Sequence, residues 1–146
     1  MGSLLYVQIS TRLDITHAIN KVSQFSSNFQ QIHCTTVSPI AKYQRGTFDY
    51  SLCYDGTGSH NVLQTYADAN YVGNLDDRKS RSSCVVLLNK VPIMWLSRKQ
   101  LCTATSTIES KYIDASLASK ETVWVQRLLS DIGLAQTCAT PLHSNN

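Results

Sequence analysis

Ser83-Cys84-Val85-Val86-Leu87-Leu88-Asn89-Lys90-Val91-Pro92-Ile93-Met94-Trp95-Leu96 reads as two short β-runs meeting at a two-residue connection. Apolar and β-branched side chains fill both runs, and the Asn-Lys pair between them suits a tight hairpin. A third run, Val62 to Ala67, precedes them across the polar loop Asn74 to Ser82, so an antiparallel meander is expected. Downstream, Ser106-Thr107-Ile108-Glu109 has the form of a capping box. Ile113, Leu117, Trp124 and Leu128 continue at helical spacing, with Val125, Leu129 and Ile132 beside them, and Gly133 supplies a left-handed stop. The spacing predicts a helix from about Thr107 to Asp131, with Trp95 and Trp124 in the core. Leu142 to Asn146 then opens something extended, and the order becomes β-β-β-α-β in a mixed α+β or α/β class.

Upstream the period is helical. Ile15, Ala18, Ile19, Val22 and Phe25 recur at steps of three and four, predicting an amphipathic helix over Asp14 to Phe25. A helix over Ile32 to Tyr43 is disfavoured because Pro39 falls in its middle, at a cost of about 3 kcal/mol. Gly46, Asp55, Gly56, Gly58 and Ser59 punctuate the chain around a short strand expected at Tyr50 to Tyr54, and two units are expected to meet here. The expected division is a helical segment at 1–47, a linker at 48–60 and a β-rich domain at 61–146.

The composition bounds the function. With 42% hydrophobic and 16% charged residues among 146, the chain has room for one domain, or one small domain and an extension. A net charge of +3 is compatible with a polyanionic partner without requiring one. Cys34, Cys53, Cys84, Cys102 and Cys138 form no C-x-x-C pair, so reduced thiols are expected. No apolar run approaches the ~20 residues of a membrane span, and Met1 to Ile15 lacks a signal-peptide pattern, so an intracellular, cytoplasmic or nuclear location is expected and secretion is not. Tyr6 stands where a myristoylation signal wants Ser or Thr. His17, His33, His60 and His143 show no metal-ligand spacing, and Ser106, Ser110 and Ser116 lack a hydrolase nucleophile context. No small-molecule substrate is evident.

Several ordered blocks carry a resemblance. Gly2-Ser3-Leu4-Leu5-Tyr6, Thr11-Arg12-Leu13-Asp14-Ile15 and Val22-Ser23-Gln24-Phe25 resemble the segment closing the reverse transcriptase in copia-type LTR retrotransposon Pol polyproteins. Tyr43-Gln44-Arg45-Gly46-Thr47 is similar to the end of that family's next helix. Tyr66-Ala67-Asp68-Ala69-Asn70 resembles its first RNase H strand, and Asp76-Asp77-Arg78-Lys79-Ser80, Trp95 with Ser97-Arg98-Lys99-Gln100, and Ser106 through Ser116 resemble the blocks that follow. The resemblance implies a truncated RNase H-like fold at 61–146, preceded by a short helical tail of the reverse transcriptase at 1–47. Met1 falls inside what the resemblance makes continuous polypeptide, so an internal fragment is expected.

The implied chemistry is cleavage of RNA in an RNA/DNA hybrid by two Mg2+ ions held among four carboxylates. Asp68 stands at the first acid position. Lys111 stands at the second, directly before Tyr112, and Asn145 at the third, while the fourth would lie beyond Asn146. Glu109 is two residues from Lys111, about 200° around a helix, and is assigned to the capping box; Asp114 is likewise set aside. Asp68 is then the one metal ligand retained, Mg2+ binding is expected to fail, and a pseudoenzyme is expected. Two alternatives stay open: an active RNase H within an intact longer polyprotein, and a nucleic-acid-binding module that uses Arg78, Lys79, Arg81, Arg98 and Lys99 against phosphates.

Overall fold

The computed structural model describes residues 2–26, 31–55, 61–74 and 77–145. Gly56 to His60, Asp76 and Asn146, invoked above, lie outside them. The chain divides into two units, Met1–Cys53 and Tyr54–Asn146, each with its own apolar core.

The first unit is helical. Helix α1 (Gly2–Ser10) leads through a 3-10 turn (Leu13–Ile15) into α2 (Thr16–Ser23), and α3 (Gln31–Gly46) follows. The single helix expected over Asp14 to Phe25 is thus split, with its first residues wound as 3-10. Helix α3 corrects the expectation set by Pro39, which sits inside it. The local penalty is outweighed because Ile40 is buried beside Ile15, Ile19 and Val22, with Val37 packed against them. The strand expected at Tyr50 to Tyr54 does not form; residues 50–55 have no regular structure.

Two of the recognised blocks in this unit are joined by one side chain. The Arg12 Nε and Nη2 donate to the two Asp14 carboxylate oxygens at 3.0 and 2.8 Å. Nη1 and Nη2 also donate to the Thr47 carbonyl and hydroxyl at 2.9 and 2.6 Å, and the guanidinium lies 5.7 Å from the Tyr43 ring centroid. A planar fork with five donors suits such multiple use.

In the second unit β1 (Leu63–Asn70), β2 (Arg81–Leu88) and β3 (Val91–Lys99) form the antiparallel meander, helix α4 (Thr107–Asp131) crosses over, and β4 (Leu142–Ser144) enters parallel to β1. The sheet order is β3-β2-β1-β4. This mixed α+β arrangement is compatible with the β-β-β-α-β opening of an RNase H-like fold. Asn89 and Lys90 have φ of 52° and 69°, the left-handed pair that a two-residue hairpin turn demands. Pro92 falls on edge strand β3, where a missing N–H is tolerated.

Strand alternation gives the sheet two unlike faces. Leu63, Thr65 and Ala67 of β1 and Cys84 and Val86 of β2 turn toward α4, where they meet Ala118, Val125 and Leu129. Thr122 bonds the Ala118 carbonyl at 2.7 Å, which leaves Thr65 to donate across the buried 2.7 Å hydroxyl pair. Helix α4 buries Ser110, Asp114, Ala118, Thr122, Val125 and Leu129, a row of largely small and polar residues. Trp124, expected in the core, is 57% exposed, and Trp95 is half-buried. Trp124 misses the core because a bulky ring on the sheet-facing row would hold α4 off β1.

Ser106 caps α4, its hydroxyl accepting from the Glu109 N–H at 3.1 Å, an interaction of about 1 kcal/mol. The reciprocal half differs from expectation. The Glu109 carboxylate accepts from the Thr105 N–H and hydroxyl, both at 2.6 Å, rather than from the Ser106 N–H. Gly133, at φ 82°, supplies the left-handed residue past the helix end.

Candidate active site

Asp68 sits near the end of β1 on the face turned away from α4, exposed and opposite Ser83 of β2. Beside it, β4 runs parallel with Ala67 opposite Ser144, so the next residue on each strand is Asp68 and Asn145. The two line one cleft of about 450 Å³ together with Tyr66, Ser83, Val85 and His143. Tyr66 and His143 stack at 4.7 Å with their planes 20° apart, closing one wall and fastening the short strand β4. Lys111 is absent from that lining. It is half-buried on α4, the element that packs on the opposite face of the sheet. The structure therefore brings together the first and third expected positions and leaves the second apart.

A carboxylate set aside in the sequence is buried by the fold. Asp114 is 1% exposed, in a buried polar cluster with Ser82, Gln100 and Ser110. Gln100 Nε2 donates to the Ser82 hydroxyl at 2.9 Å and the Ser110 carbonyl at 3.0 Å, while Asp114 Oδ1 and Gln100 Oε1 have no protein partner. Burial pushes the Asp114 carboxyl up to about 6; the Ser82 hydroxyl and Ser83 main chain oppose this, and the negative charge of Asp68 adds to it. The i, i+4 spacing of Ser110, Asp114 and Ala118 was the sequence signal for this row. Among the described residues no three His, Cys, Asp or Glu side chains gather as a metal site.

The five basic residues do not form one patch. Arg81 is buried in β2, with Nη1 3.4 Å from the Ser97 carbonyl, and burial lowers its pKa. Lys99 forms a 2.8 Å ion pair with Asp77, which holds that carboxyl below its usual range, and Lys79 donates to the Leu101 carbonyl at 2.7 Å. Arg98, one residue from Lys99 on β3, turns to the other face, where its guanidinium lies 4.0 Å from Glu121 of α4. Arg78 is exposed in the connection before β2.

Comparison with known proteins supplies the family. A retrovirus-related Pol polyprotein from transposon TNT 1-94 of Nicotiana tabacum is 40% identical over 136 residues, covering 93% of this chain and 10% of that protein. That from transposon RE1 of Arabidopsis thaliana is 32% identical over 146 residues, covering 100% and 10%. The chain belongs to the Pol polyprotein family of copia-type retrotransposons. It spans about a tenth of the length of these curated Pol relatives. A secreted RxLR effector protein 161 of Plasmopara viticola is also similar, 30% identical over 125 residues that cover 86% of this chain and 87% of that protein. No family model and no solved structure matches. No described helix of this Pol chain is long and apolar enough to cross a membrane.

Proposed function

We propose that residues 61–146 of this Pol chain are an RNase H-like domain, related to cleavage of RNA in RNA/DNA hybrids, that does not itself cleave, and that residues 1–47 are the tail of a reverse transcriptase. One observation carries the reading of the site: the parallel register of β4 on β1 sets Asn145 beside Asp68, at two positions where the resemblance calls for acids. The donors present do not fit two magnesium ions. One carboxylate and one neutral amide supply a single negative charge, whereas Mg2+ demands near-octahedral oxygen and gives up its water reluctantly. Lys111 adds no ligand, and Asp114, although coupled to Asp68, lies buried against the other face. The dispersal of Arg81, Arg98 and Lys99 favours this reading over a phosphate-binding module.

The test is cleavage of a labelled RNA/DNA hybrid in Mg2+ or Mn2+ by the unmodified chain, with Asp68→Asn as control. Equal, background-level signal from both is expected. Asn145→Asp with Lys111→Glu is expected to give little turnover as well, because positioned ligands need a supporting shell. Metal-dependent cleavage that Asp68→Asn abolishes overturns the inactive reading.

A further inference from the structure

Helix α4 carries an apolar ridge that its own sheet does not cover. Trp124 and Leu128 of the helix and its C-cap residue Ile132, whose N–H still bonds the Leu128 carbonyl, stand at i, i+4 and i+8, and are 57%, 45% and 62% exposed. On a helix this spacing makes one continuous ridge of the kind that packs into a facing helix. Beside it Arg127 and Asp131 are both exposed, and among the described residues neither side chain has a hydrogen bond or ion pair within the chain. Each lies on the same flank of the ridge, between about 60° and 100° around the axis from Leu128.

The geometry points to a second copy of this chain as the occupant, α4 pairing with α4 in antiparallel fashion about a two-fold axis at Leu128. Under that symmetry Leu128 meets its counterpart and Trp124 meets the second copy's Ile132, so the ridge is self-complementary. The two-fold also brings like flank to like flank. Arg127 then lies within about 3 Å, along the helix axis, of the second copy's Asp131. The pair occurs twice, once for each copy, and gives partners to charges that have none among the described residues of a single copy. A partner uniformly acidic or basic along this flank would satisfy one of the two residues and repel the other, which is why the complement sought is the chain's own flank.

The experiment is sedimentation equilibrium of the full chain up to about 100 μM, with helix content checked by circular dichroism. A dimer is expected, weakened about tenfold by Arg127→Asp and likewise by Asp131→Arg, since each single change sets like charges together at both symmetric pairs. Combining Arg127→Asp with Asp131→Arg restores opposite charges and is expected to return the dimer to within about threefold of the original. Leu128→Lys, at a half-exposed position, is expected to give a folded monomer. A folded chain that stays monomeric over this range overturns the proposal, as does a dimer indifferent to the charge changes or one that the double exchange does not recover.

Discussion

Burial governs the charge state of Asp114. A carboxylate buried among Ser82, Gln100 and Ser110 loses hydration, and it stands near the negative charge of Asp68, so the proton is held up to about pH 6. A protonated carboxyl also brings a donor to a cluster whose two unpartnered atoms, Asp114 Oδ1 and Gln100 Oε1, are both acceptors. The linkage has a definite sign. Because the folded value lies above the unfolded value of 3.8, this group's stabilisation is full below about pH 4 and lost as pH rises through 6, on the order of 3 kcal/mol. Asp14, Asp77 and Glu109 are shifted the other way by Arg12, Lys99 and Thr105, and their contributions fade only as pH falls through their lowered values. Asp114→Asn should therefore gain stability relative to the unmodified chain at pH 7 but not at pH 4. Urea midpoints for both proteins at the two pH values measure it, and parallel profiles would count against the assignment.

At the scale of elements, the hairpin between β2 and β3 holds its register through two left-handed residues, of which only Asn89 has a second task. Its side-chain oxygen accepts from the Val62 N–H at 3.0 Å, whereas Lys90 carries a β-carbon at φ 69° and, among the described residues, its side chain makes no hydrogen bond that offsets the strain. Lys90→Gly should remove that strain and raise stability by about 0.5–1 kcal/mol, read as a higher melting temperature with an unchanged sheet signature. A lower melting temperature would show that the side chain packs in a way the φ value hides. The same hairpin was legible from Asn89-Lys90 and its flanking runs, as was α4 from Ser106 to Gly133. The faces of α4 were harder to read. Counting large apolar residues picks out Trp124 and Leu128 along with Val125 and Leu129, yet only the last two are buried, and the row they end begins with Ser110, Asp114, Ala118 and Thr122, because a helix lying close on a sheet selects small side chains and hydrogen-bonded hydroxyls. Pro39 misled in the opposite direction, since its local cost is visible in sequence and the packing of Ile40 is not. For the candidate site, Asp68 and Asn145 were placed by resemblance, and their adjacency required the register of β4, a three-residue strand with no periodicity of its own.

At the scale of the whole molecule the described residues form two apolar cores, one around Ile19 in the first unit and one around Val86 in the second. Loss of Arg12 should therefore be felt in one of them alone. Arg12→Ala removes the ion-pair partner of the Asp14 carboxylate and one of the two donors to the Thr47 carbonyl, where the Tyr50 N–H stays at 3.1 Å, at about 1–2 kcal/mol, and should lower the melting of the helical unit while the sheet unit keeps its midpoint. Differential scanning calorimetry resolves this, and a single transition that shifts as a block would show the two cores to be coupled. The sheet core contains its own stopwatch. Cys34, Cys53, Cys102 and Cys138 are exposed, while Cys84 is sealed beneath α4 and burial pushes its thiol up to about 11. An alkylating reagent acts on thiolates, so four sulfurs should be consumed promptly and the fifth only when α4 lifts from β2. With closing faster than alkylation, the lag of that last sulfur, timed by mass spectrometry, gives the equilibrium constant for the excursion in which the sheet parts from its helix.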